Sequence, residues 1–137
     1  MAAIERFEDI DAWKKARELT QAVYLISGSG QFAKDFGLRD QIQRAAVSVM
    51  SNIAEGFERG GTKEFYQFLS IAKGSTGEIE SQLYVALDQR YIGQDQFDTI
   101  QALTNAVKKL IAGFMNYLRQ TDIKGLKYKK HPSTQKP

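Results

Sequence analysis

No proline interrupts this chain until Pro132. Proline removes a backbone donor and clashes with the preceding helical turn, so an uninterrupted stretch of this length favours long helices. The hydrophobic pattern agrees. From about Asp9 to Ser27, the residues Ala12, Trp13, Ala16, Leu19, Val23 and Ile26 recur at steps of three and four, the spacing of one helical face. Asp9 is the expected N-cap, and Ser27-Gly28-Ser29-Gly30 ends the segment.

A second pattern, about Gly37 to Glu58, aligns Leu38, Ile42, Ala45, Ala46, Val49, Ile53 and Phe57, and Gly60-Gly61 closes it. A third, about Thr62 to Arg90, aligns Phe65, Phe68, Leu69, Ala72, Ile79, Leu83 and Ala86, with Thr62 as its expected cap. Gly74 and Gly77 fall inside it, each costing about 1 kcal/mol relative to alanine. That cost predicts a close backbone approach or a bend there. The fourth, about Gln94 to Thr121, is the most regular, running from Phe97 and Ile100 to Tyr117 and Leu118. Strand alternation persists nowhere. Short linkers between long helices predict an all-α, antiparallel up-down-up-down four-helix bundle over residues 1–122.

Charge separates this body from the C-terminal segment. Residues 123–137 carry five lysines and no acid, whereas residues 1–122 hold 14 basic and 16 acidic side chains. The net charge of +3 therefore reports a basic tail and not a basic domain. The chain has no cysteine, which excludes disulfides and thiolate metal sites. Charges break up the N-terminal MAAIERFEDIDAW, and no apolar run approaches about 18 residues, so no membrane association is expected and the cytoplasm is the expected location.

Catalytic machinery is hard to assemble from these residues. The single histidine, His131, lies in the tail beside Pro132, so no nucleophile–histidine pair can form in the body. Glu55, Glu64 and Glu78 lack the Glu-x-x-His partners of di-metal bundles. The glycines at 56, 60 and 61 lack the preceding strand and following Gly-Lys-Ser/Thr of a phosphate loop. The expectation is a non-enzymatic protein with no metal and no cofactor.

Two features point to interactions instead. Gln41, Arg44, Ser48, Asn52 and Glu55 form a continuous polar stripe on the second helix, and Ser75, Glu78 and Gln82 form another on the third. Between antiparallel helices these groups predict a polar network within the bundle or between subunits, because buried polar groups must be paired. In the tail, Lys124, Lys127, Lys129 and Lys130 are candidate phosphate contacts, with Tyr128 available for stacking. The aromatic content also exceeds what so thin a bundle can hide, which predicts self-association.

Several runs are recognisable together: Phe7-Glu8-Asp9-Ile10, Trp13-Lys14-Lys15-Ala16, Phe36-Gly37-Leu38, Gln41-Ile42-Gln43-Arg44-Ala45-Ala46, Asn52-Ile53-Ala54-Glu55-Gly56, and Glu64-Phe65 through Glu78. They resemble the four-helix-bundle proteins encoded in intervening sequences of bacterial 23S ribosomal RNA genes, the S23 ribosomal protein-like family. The resemblance spans about residues 5–120 and implies a bundle assembled as a ring-like homopentamer. A related group, the accessory variability determinants of diversity-generating retroelements, binds reverse transcriptase and nucleic acid. That relation implies binding or scaffolding of RNA, DNA or a ribonucleoprotein. The alternative is an adaptor for a polymerase or ribosomal protein without nucleic-acid contact. The family often has Arg-Arg before the Ala-Ala pair; Gln43 in the first of those positions implies a less basic second helix.

Overall fold

The computed structural model describes residues 4–124, with side chains through Thr121. A single 3-10 turn, Phe7–Asp9, leads into α1 (Asp11–Ser27). A second, Phe32–Lys34, joins α1 to α2 (Phe36–Arg59); α3 (Thr62–Asp88) and α4 (Gln94–Lys124) follow. Each helix packs against two others: α2 on α3, α3 on α4, α1 on α2 and α1 on α4. With short connections at alternating ends, this is the antiparallel up-down-up-down bundle that the spacing predicts.

The apolar stripes converge on one core. Ala16, Leu19, Ile42, Ile53, Phe65, Leu69, Leu83, Ile111 and Leu118 are completely buried. Hydroxyls that fall among them are satisfied within their own helices: Ser27 Oγ donates to Val23 O at 2.6 Å, and Thr104 Oγ1 to Ile100 O at 2.7 Å. Such back-bonding lets a small polar side chain sit in an apolar layer without an orphaned donor.

The helix ends depart from expectation in three places. Asp9 does not cap α1; its carboxylate accepts from the Glu5 and Arg6 amides at 3.3 and 3.2 Å and closes the first 3-10 turn. Thr62 is the first residue of α3, and Gly61 occupies the capping position with no side chain to offer. The carboxylate that does cap a helix is Asp35, whose Oδ1 accepts from Leu38 N at 3.1 Å. Its Oδ2 accepts from the Tyr91 hydroxyl at 3.0 Å, so one residue fastens the α1–α2 linker to the α3–α4 linker. That hydrogen bond, reinforced by partial desolvation, pushes the Tyr91 phenol above its ordinary range.

α3 ends two residues before the expected Arg90, because Arg90 adopts φ +63°. Tyr91 N bonds back to Ala86 O at 2.9 Å and Arg90 N to Leu87 O at 3.0 Å, the paired bonds of a Schellman cap. Glycine is the usual residue there, since a β-carbon is strained in the left-handed region. Arg90→Gly is therefore expected to raise unfolding free energy by roughly 1 kcal/mol. Denaturant titration checks this; an unchanged or lower midpoint would contradict it.

Candidate interaction surface

The two polar stripes meet where α2 packs on α3, and the structure divides them. Ser48 and Ser75 share a hydrogen bond of 3.0 Å between their hydroxyls across the helix pair. Asn52 Nδ2 donates to Ser48 O at 2.8 Å and to Ser48 Oγ at 3.0 Å, which fixes the serine in place. Ser75 is buried, while Ser48 and Asn52 are half-buried. Towards the other end of α2, Gln82 Nε2 reaches Gln41 Oε1 at a long 3.4 Å. Two polar pairings thus lie along the α2–α3 seam, one of Ser48, Asn52 and Ser75 and one of Gln41 and Gln82.

Arg44, Glu55 and Glu78 stand outside it. All three are exposed. Glu55 accepts from Arg59 Nε at 2.8 Å on the helix surface, while Arg44 and Glu78 have no hydrogen bond or ion pair among the described residues. Those two line an open groove of about 1050 Å³ whose floor includes Ala45, Ser48 and Gln82. The Oε1 atom of Gln82 is buried there with no donor among the described residues.

Apolar side chains continue outward from this groove. Val47, 40% exposed, and Val85, 43%, line it, and Ile71 is 53% exposed on α3, whereas Tyr84 turns to α4, its ring 4.9 Å from that of Phe97. Sequence periodicity hides these residues, since each falls between core positions and reads as part of a solvated face. Gly74 and Gly77 are exposed on α3. A β-carbon added at either would meet no heavy atom within 4 Å among the described residues. The close approach expected at those glycines does not occur among the described residues. It occurs at Gly56, where an added β-carbon would lie 2.8 Å from both Phe65 Cδ1 and Phe68 Cβ.

Of the tail lysines, Lys124 is the last residue of α4, and Lys127, Lys129 and Lys130 lie outside the described residues. Among the described residues, no three His, Cys, Asp or Glu side chains are grouped to hold a metal ion. No helix among them is long and apolar enough to cross a membrane.

The architecture is shared with a solved structure: a protein of unknown function from the S23 ribosomal protein family of Bacteroides thetaiotaomicron. The two superpose with a TM-score of 0.70 at 24% identity, covering 76% of this chain and 97% of that one. At that identity the likeness establishes the fold alone. No curated protein matches the sequence. The family model described as 23S rRNA-intervening sequence protein matches residues 8–113, nearly all of the four-helix body. This chain belongs to the 23S rRNA-intervening sequence protein family.

Proposed function

We propose that this protein is a non-enzymatic helical scaffold that self-associates through the outer α2–α3 face and binds a nucleic-acid-containing partner. The observation that carries the reading is the character of that face. Exposed Val47 and Val85 line a groove that also holds Arg44 and Glu78, both unpaired among the described residues, and Asp40, which is paired with Arg39; exposed Ile71 and two outward glycines lie on α3. A contiguous apolar surface rimmed by polar groups is the ordinary signature of a protein interface. The seam of Gln41, Ser48, Asn52 and Ser75 behind it holds α2 and α3 in register, so the face is presented on a rigid support. A ring of five copies is the assembly that the family resemblance implies.

Assembly makes the tail more effective. A few lysines on one copy, Lys124, Lys127, Lys129 and Lys130, attract phosphate weakly and in a salt-sensitive way. Several tails on one ring act together by raising effective concentration. Light scattering of the full chain tests the assembly, and filter binding to structured RNA and duplex DNA at two salt concentrations tests the partner. A monomer at micromolar concentration would remove the first half. No binding at low salt, together with a protein partner that survives nuclease treatment, would replace the second half with a protein adaptor.

One substitution probes the face directly. Arg44→Glu places a third anion in the groove, beside Asp40 and Glu78. It is expected to weaken assembly about tenfold or more, with adding Glu78→Arg recovering much of the loss. Sedimentation at several concentrations reads both variants. Unaltered assembly in Arg44→Glu would place the interface elsewhere.

A further inference from the structure

A second groove, of about 380 Å³, lies between the start of α3 and the end of α4. Its walls are Thr62, Lys63, Tyr66 and Gln67 from α3 and Leu118 and Arg119 from α4. Lys63 and Arg119 are exposed, and neither forms an ion pair among the described residues. By contrast, Arg59 is engaged by Glu55 and Arg6 by Asp9. The Arg119 guanidinium lies over the Tyr66 ring, 5.8 Å from its centroid, and Tyr66 is itself packed against the core. The result is two cations on opposite walls, neither ion-paired among the described residues, with Tyr66 beneath one of them.

Position matters as much as composition. α4 runs about 8 Å beyond Arg119 to Lys124, at a rise of about 1.5 Å per residue. The lysines of the C-terminal segment come next in sequence, so the groove and the start of the tail share one end of the bundle. The opening suits one or two nucleotides and is too small for a duplex. Single strands are held by cations along the backbone and by bases stacked on aromatic rings or guanidinium planes.

Resting on the nucleic-acid reading of the preceding subsection, we propose that the Lys63–Tyr66–Arg119 groove binds single-stranded nucleic acid, with phosphates at the two cations and a base stacked on Tyr66. This makes the α3–α4 end the contact for the strand, on a different part of the bundle from the α2–α3 face used for assembly.

Fluorescence anisotropy of the full chain tests this with labelled RNA and DNA single strands of about 10 nucleotides, and with a duplex of the same sequence. Titrations at about 50 and about 200 mM salt give the number of phosphate contacts. The Lys63→Ala/Arg119→Ala double variant is expected to bind single strands about tenfold more weakly and to lower the salt slope by about two. Tyr66→Leu is expected to weaken single-strand binding by about fivefold or more with the salt slope unchanged, while Tyr66→Phe keeps the affinity. Wild-type affinity and slope in the double variant would overturn the groove alone, leaving the tail as the binding element. Failure of the full chain to bind any of the three probes at low salt would overturn the groove and the nucleic-acid reading together.

Discussion

Phe65→Ala is expected to lower the stability of the bundle by about 3–5 kcal/mol, a large share of the roughly 5–15 kcal/mol that holds a domain of this size together. Phe65 is fully buried where three helices meet. Its ring lies 6.1 Å from Phe57 of α2 and 5.2 Å from Phe114 of α4, so alanine empties the layer that joins α2, α3 and α4. The size of the loss depends on how far the surroundings collapse. Here collapse is resisted, because the neighbouring aromatic rings are rigid and the helices are long. Denaturant unfolding measures it, and a loss below about 1 kcal/mol would mean that the layer repacks freely.

The same layer explains Gly56. An added β-carbon would stand 2.8 Å from Phe65 Cδ1 and 2.8 Å from Phe68 Cβ, closer than real β-carbons approach. Helix propensity favours alanine by about 1 kcal/mol, yet overpacking a rigid contact costs about 1–3 kcal/mol, so Gly56→Ala should be destabilising on balance. Combined with Phe65→Ala, its new methyl group loses the clash with the ring and keeps the one with Phe68 Cβ, so part of the cost is relieved. The double variant should then be less damaged than the sum of the two singles.

Much of the fold is legible in the sequence because burial repeats every three or four residues. Leu19, Ile42, Ile53 and Leu83 are assigned to the core by spacing alone and are completely buried. Helix ends are less legible, since a cap depends on one residue's φ and ψ. Asp9, Asp35 and Thr62 are all plausible caps by type, and only Asp35 adopts the geometry. The interaction surfaces are least legible. Ser48, Asn52 and Ser75 can be placed on facing stripes, but nothing in the sequence separates them from exposed Arg44, Glu55 and Glu78, one helical step away. Lys63, Tyr66 and Arg119 are brought together only by the pairing of α3 with α4. Glycine also carries opposite meanings in neighbouring helices: Gly56 makes room for Phe65, whereas Gly74 and Gly77 face outward.

Those outward glycines give the second large effect, and its sign depends on what covers them. On a solvated helix surface, Gly74→Ala with Gly77→Ala should add up to about 2 kcal/mol, because each alanine restricts the unfolded chain and shields the backbone. Neither new β-carbon would touch anything within 4 Å among the described residues of a single copy. If a second copy packs its backbone against this face, the same methyl groups hold the two chains apart and weaken assembly. The double variant is therefore expected to unfold at higher denaturant when dilute and monomeric, yet to sediment as smaller species than the wild type at high concentration. Stability that depends on protein concentration in the wild type and not in the variant would be the thermodynamic trace of the lost interface. A variant more stable by about 2 kcal/mol and unchanged in mass would show that the glycines face only water, and would move the interface off this side of α3.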